Sequence, residues 1–268
     1  MTKKIIVPTD LTAATNHAIK QASVIALKAK ATLGLLHVQD KRSPSATDIE
    51  KMLNLQANSI REQTGLECEV ILKEGSVFDV IPVIGREKDW DLMVLGAHGK
   101  KGIRHMLTGP DILKLVAKVS IPVLVVHEDA ALIEDFKRIV LPVSSHKSFL
   151  PAIAAVLFFA GIYALEVHLY SINKAGYEWP KQLLLNIDEA IKRFETEGVK
   201  YKRIKEDQNS YSVGYAKQTL KYAESVHADY ICVMSVPSED YYYFAQSDKK
   251  TLLLNEFNIP VLCAGGGC

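Results

Sequence analysis

KKIIVPTD, residues 3–10, returns as KRIVLPVS at 137–144. Each copy is a basic pair, a three-residue aliphatic run and then a proline, set 134 positions apart (3 to 137). Two more stretches recur in the same order, both 138 positions on: DWDLMVLGA (89–97) as HADYICVMS (227–235), and SIPVLVV (120–126) as NIPVLCA (258–264). Three matches in one order at nearly one spacing mark a duplicated chain. The joint falls near HEDAALIEDFK (127–137), a charged stretch without period-2 alternation, so the expected domains are 1–129 and 137–268.

Within the first copy, short apolar runs rich in β-branched residues alternate with helical periodicity. IIVPT (5–9) is a strand, 13–30 an amphipathic helix, and ATLGLLHV (31–38) a strand. After a polar loop (39–46), 47–64 is a helix opened by Thr47 with Glu50 three residues on, a capping box. LECEVIL (66–72) alternates as a strand, and 76–89 is a helix capped by Ser76 and kinked at Pro82. DLMVLG, PDILKLVAKVS and IPVLVV complete the copy as strand, helix and strand. Strands joined by helices of this length demand right-handed βαβ crossovers, hence an α/β fold with a mostly parallel sheet covered on both faces. Ligands of such sheets bind beyond the carboxyl ends of the strands, where strand order reverses. Thr9-Asp10-Leu11-Thr12 and the residues from Gly96 onward both follow carboxyl ends.

The uncharged stretch FLPAIAAVLFFAGIYAL (149–165) occupies the slot of the first helix in the second copy. At 17 residues it is short for a membrane span, and a helix apolar all round is expected to be buried all round, against another layer of protein such as a second subunit. MTKKIIVPTD holds no signal-peptide apolar segment, and the four cysteines show no paired spacing, so reduced thiols in a cytoplasmic protein are expected, with Cys232 and Cys263 as core residues. A net charge of +1 gives no global attraction to nucleic acid or to a membrane.

GAHGKKGIRHMLTGPD (96–111) sets glycines beside Lys100, Lys101 and Arg104 and ahead of a helix start. Backbone N–H groups wrap a phosphate only where no Cβ obstructs them, and a helix start adds free donors and a favourable dipole. The alternative is a turn that binds nothing. No Gly-Lys-Ser/Thr occurs, and the spacing is not that of a dinucleotide fingerprint. His98 and His105 have no Cys or carboxylate neighbour to complete a zinc site, and no catalytic triad order or paired catalytic carboxylates stand out. Asp10 has two readings that are compatible: an acceptor for a ligand, and a cap for the helix that begins near Thr12. The remaining histidines, among them His37, His146 and His168, read as surface or satisfied core.

Gly96-x-x-Gly99, nine residues and then Gly109 resembles the glycine signature of the ATP-binding universal stress proteins, as IIVPTDLT, LLHV and IPVLVV resemble that family's first, second and last strands. The resemblance is strong over 3–126 and weak over 137–264. It implies two tandem Rossmann-like (adenine nucleotide alpha hydrolase-like) domains, each with a five-stranded sheet, and a nucleotide site in the first. Pro8 and Thr9 would shape the pocket, Asp10 would accept hydrogen bonds from the ribose or adenine region, and Val38 would read the adenine edge through its backbone. Gly96, His98, Gly99 and Gly109 would surround the phosphates. The signature's final Ser/Thr is Pro110 here, which suits the start of a helix but supplies neither hydroxyl nor N–H. In the second copy Asp10 becomes Ser144, Gly96 Met234, Gly99 Pro237 and Gly109 Ser247, and the loop VPSEDYYYF (236–244) is acidic and aromatic. No nucleotide site of the same kind is expected there; the three tyrosines read as packing or as a protein contact.

The resemblance implies a non-catalytic, stress-response regulatory protein that binds ATP, ADP or AMP in its first domain, with a structural second domain. The resemblance further implies that the final strands of the two domains pair edge to edge, and homo-oligomers and an unidentified protein partner are expected, without nucleic acid or membrane. Two alternatives stand beside this: a slow ATP hydrolase, which calls for an activated water and a metal such as Mg at the phosphates, and a ligand-free interaction scaffold.

Overall fold

The structure, a computed structural model, describes residues 2–39, 46–87, 89–97, 109–173, 178–207, 214–236 and 246–265. The chain divides into two compact units, Met1–Glu134 with Cys268, and Asp135–Gly267.

The first unit runs β1 (Lys4–Pro8), α1 (Ala13–Ala29), β2 (Thr32–Gln39), α2 (Ala46–Thr64), β3 (Cys68–Glu74), α3 (Val77–Ile84), β4 (Leu92–Ala97), α4 (Gly109–Val116), β5 (Val123–His127). Its sheet has the order β3-β2-β1-β4-β5, with every pair parallel. β1, β2, β4 and β5 are almost continuously buried, so both faces of the sheet are covered. α1 lies on β1, β4 and β5 and touches α2, while α3 and α4 pack on each other. The second unit repeats the pattern with β6 (Arg138–Pro142), α5 (Leu150–Ala160), β7 (Glu166–Asn173), α6 (Lys181–Thr196), β8 (Lys200–Asp207), α7 (Tyr215–Ser225), β9 (Tyr230–Met234), α8 (Gln246–Leu253) and β10 (Val261–Ala264). Its order is β10-β9-β6-β7-β8, again all parallel. The α/β class and the five-stranded sheets read from the sequence are therefore present in each unit.

Local features follow the sequence in part. Ser76 caps α3 by accepting from the Phe78 N–H (3.2 Å). α3 ends at Ile84, and Pro82 lies inside it, so the proline falls in its last turn rather than kinking a longer helix. α2 already runs at Ala46, which places Thr47 within the helix and not at its cap. The apolar stretch 149–165 departs furthest from expectation. α5 covers only Leu150–Ala160, and it is not buried all round: Ala152, Ile153, Ala155, Val156 and Phe159 face the core while Leu150 and Ala154 are exposed. Apolar composition shows that a residue tolerates burial, not that a neighbour covers it. Among the described residues no helix is long and apolar enough to cross a membrane.

Cores of the two units differ in chemistry. The second holds an aromatic cluster in which Phe136 meets Phe159, Tyr163 and Tyr230 edge-on at centroid distances of 5.3, 5.1 and 5.4 Å. Phe136 is fully buried, although it comes from the charged stretch between the copies. In that same stretch Ile133 exchanges both backbone hydrogen bonds with the Gln21 side chain (2.8 and 2.9 Å), which fastens the end of the first unit to α1. Cys68, Cys232 and Cys263 are buried free thiols.

In the first unit the indole of Trp90 lies on β2 at Gly34, where a Cβ would stand 2.3 Å from the ring. Gly34→Ala should therefore lower stability by about 1–3 kcal/mol through overpacking. A fall in the urea midpoint, with an unchanged far-UV spectrum, checks this.

Candidate functional site

Pairing of β1 with β2 ends at Pro8–Leu36, while β2 continues beside β3 as far as Gln39–Glu74. β4 flanks β1 on the other side, so strand order reverses at β1 and a crevice opens at its carboxyl end. The backbone of Val38 lies past the last β1 partner, on the rim of that opening.

Thr9 closes the pairing. Its N–H donates to the Leu36 carbonyl (2.8 Å), and its carbonyl accepts from His37 Nδ1 (2.8 Å). A carbonyl can only accept, so Nδ1 carries the proton and, in the neutral ring, Nε2 is an acceptor. That nitrogen is buried and has no partner. The chain then turns through Leu11 at φ 66°, a left-handed conformation that costs a leucine roughly 1–2 kcal/mol. The turn is held by Asp10: Oδ1 accepts from the Thr12 N–H (3.0 Å), Thr12 Oγ1 (2.6 Å) and Thr15 Oγ1 (2.9 Å). Thr9 Oγ1 accepts from the Leu11 N–H (3.1 Å) and meets Thr15 Oγ1 (3.1 Å). One carboxylate oxygen thus fastens the start of α1, whose own cap residue Thr12 makes no side-chain capping bond. The other, Oδ2, is buried and has no partner among the described residues. A carboxylate oxygen withdrawn from water without a donor is costly, and a ligand hydroxyl or amine removes that cost.

Gly96 stands at the end of β4, where a Cβ would lie 2.6 Å from the Ala14 carbonyl oxygen of α1. Its missing side chain lets α1 and β4 approach, a packing reason that the sequence reading assigned instead to phosphate access. Gly109 is the first residue of α4 and Pro110 the second, so the helix starts one residue before the proline. His98 and Gly99 lie outside the described residues, as do Lys100, Lys101, Gly102, Arg104, His105 and Thr108. The structure thus brings Pro8, Thr9, Asp10 and Val38 together at one crevice and adds His37, which had been read as an ordinary histidine.

The second unit builds the same crevice with different chemistry. Val143 donates to the Tyr170 carbonyl (2.9 Å) just as Thr9 does to Leu36, which puts Ser144 at the place of Asp10. Asn186 of α6 clasps the turn, donating to the carbonyls of Ser144 (2.7 Å) and His146 (2.9 Å). His146 Nε2 donates to the Val236 carbonyl (2.9 Å), which leaves Nδ1 to accept the Ser144 hydroxyl (2.5 Å). Lys249, in the first turn of α8, donates to that same Val236 carbonyl. Burial holds the His146 imidazole below its ordinary pKa, and the Lys249 charge adds to this. Burial also lowers the Lys249 ammonium to about 8, against an opposing influence of the Cys263 thiol. From the sequence Ser144 stood out only as the replacement of Asp10 and His146 as a surface or satisfied core histidine; Ser-Ser-His at 144–146, directly replacing the acidic turn, was the available signal. The aromatic run Tyr241–Phe244, with Glu239 and Asp240, lies outside the described residues.

The universal stress protein family model matches residues 1–127. Universal stress protein MJ0577 of Methanocaldococcus jannaschii is 30% identical to this chain, over 47% of the chain and 95% of that protein. Over nearly the whole length, the fold is similar to a universal stress protein structure from Archaeoglobus fulgidus (TM-score 0.75, 18% identity, 98% of each chain). It is also similar to the protein PA1789 of Pseudomonas aeruginosa, described as functionally unknown (TM-score 0.63, 17% identity, 98% of this chain and 92% of that one). With a family match across its first unit and a relative covered almost end to end, the chain belongs to the universal stress protein family.

Proposed function

We propose that the first unit binds an adenine nucleotide in the crevice beyond β1, and that the protein is a non-catalytic stress-response regulator whose second unit holds no such nucleotide. The observation that carries the reading is Asp10 Oδ2, buried and without a donor at a strand-order reversal. An acceptor at that place suits a ribose hydroxyl. His37 Nε2 offers a second bare acceptor, and the rim at Val38 offers backbone groups for the edge of a base. Pro8 and Thr9 would form the wall of the pocket. Gly96, His98, Gly99 and Gly109 would receive the phosphates at the start of α4, where the helix dipole favours an anion. With Pro110 in place of a hydroxyl residue, contacts to a terminal phosphate are fewer, and AMP and ADP should bind nearly as well as ATP. In the second unit, Ser144 replaces the acidic acceptor and Lys249 brings a cation into the corresponding crevice.

Asp10→Asn is the direct test. It keeps a carbonyl oxygen for Thr12 and Thr15 and replaces the lone acceptor with a donor. Affinity for AMP, measured by titration calorimetry, should fall by about 10–100-fold, the worth of a hydrogen bond to a charged group. The thermal midpoint without nucleotide should change little. Absence of any heat or thermal shift with ATP, ADP and AMP on the wild-type protein refutes the reading. Gly96→Ala should cost about 1–3 kcal/mol with or without nucleotide, because its Cβ meets backbone rather than ligand; chemical unfolding in both conditions measures it.

A further inference from the structure

Lys249 is 4% exposed, and its ammonium carries three N–H donors with one acceptor among the described residues, the Val236 carbonyl. Among the described residues no carboxylate forms an ion pair with it. It stands in the first turn of α8, where the helix dipole already presents positive charge, so its position is electrostatically unfavourable. Beside it His146 points a second N–H at the same carbonyl. Between Ser144 and His146, the hydroxyl of Ser145 is buried and has no partner. The cluster is rich in donors and poor in acceptors. A desolvated cation with one neutral partner is costly, and an anion supplies both the missing charge and the missing acceptors.

We infer that the second unit binds a small oxyanion of the phosphate type at Lys249 and the Ser144–His146 turn. The ammonium N–H groups that no described residue accepts and the Ser145 hydroxyl provide donors for its oxygens. Ser144, Ser145, His146 and Lys249 are each no more than 5% exposed, so a free ion can join them where a nucleoside cannot without displacing them. The site is separate from the one proposed beyond β1. Its chemistry is the reverse: acceptors bare in the first unit, donors bare in the second.

The test uses the full chain carrying Gly99→Asp, which blocks phosphate at the first unit, with inorganic phosphate against chloride at matched ionic strength and AMP as a second arm. At a tenfold excess over Kd, phosphate should raise Tm by roughly 3–5 °C. Lys249→Arg, which keeps the charge, should retain the shift; Lys249→Met should lose it. AMP should give none in this background. No phosphate shift with Lys249 intact, or an equal shift with Lys249→Met, overturns the inference. An AMP shift that depends on Lys249 overturns the choice of a free ion.

A second measurement needs no ligand. The folded-state pKa of Lys249 lies below its unfolded value, so its cost to stability is present below pH 8 and is relieved as pH rises from 8 toward 10.5. His146, depressed by burial, and Cys263, pushed up to about 12, both stay uncharged across that window. Without phosphate, Lys249→Met should melt a few degrees above the parent at pH 7, and the gap should narrow by pH 9.5. In the parent, the phosphate shift should fade over the same window as the ammonium loses its proton. A gap that is absent at pH 7 overturns the inference, and a phosphate shift in the parent that persists undiminished at pH 9.5 overturns it even if Lys249→Met does not fold.

Discussion

β1 has a parallel neighbour on each side, and the chain reaches β2 and β4 by crossovers that run in opposite directions. Backbone hydrogen bonding to β2 then ends at Thr9, because the segment that follows must leave the sheet to begin α1. The result is a crevice whose floor is strand ends and whose walls are turns. Thr9, Asp10 and His37 meet there because each belongs to an end that has lost its partner strand. The second unit obeys the same constraint at β6, and its crevice falls at Ser144 for the same reason.

Topology sets the place of a site but not its chemistry. In the first unit one oxygen of Asp10 is spent on the turn and the other is left bare. In the second a serine hydroxyl bonds to a histidine, and a lysine from α8 enters the space. Duplication preserved the scaffold and let the charge of the contents reverse. The two units share strand order, but the groups at their strand ends differ: a carboxylate oxygen in the first and a lysine ammonium in the second.

Much of this was legible in the residues themselves. Repeated strand motifs gave away the duplication, and apolar runs separated by helical periods implied parallel sheets. Ser76 was readable as a cap, because a hydroxyl before an apolar period has one favourable use. Asp10 was readable as important, though its division between a structural oxygen and a bare one needed three distances. The stretch 149–165 was readable as a helix, though hydrophobicity reports a preference for burial and carries no information about which neighbours exist. Gly96 was readable as a point of close approach, though the lack of a Cβ is the same whether a phosphate or the backbone of α1 comes close.

What the sequence determined by itself is everything that depends on neighbours along the chain: strands, helices, their order, the repeat, and the turn residues at the strand ends. Periodicity and local hydrogen bonding fix these without reference to distant residues. Tertiary structure alone decided which groups were left without partners. Among the described residues His37 Nε2 and Asp10 Oδ2 are bare and Lys249 is sealed in with a single carbonyl, whereas residues 40 and 112 positions apart, Gln56 with Asn16 and Gln21 with Ile133, found partners. A partner is a matter of a few ångströms in space, and spacing along a chain does not encode it.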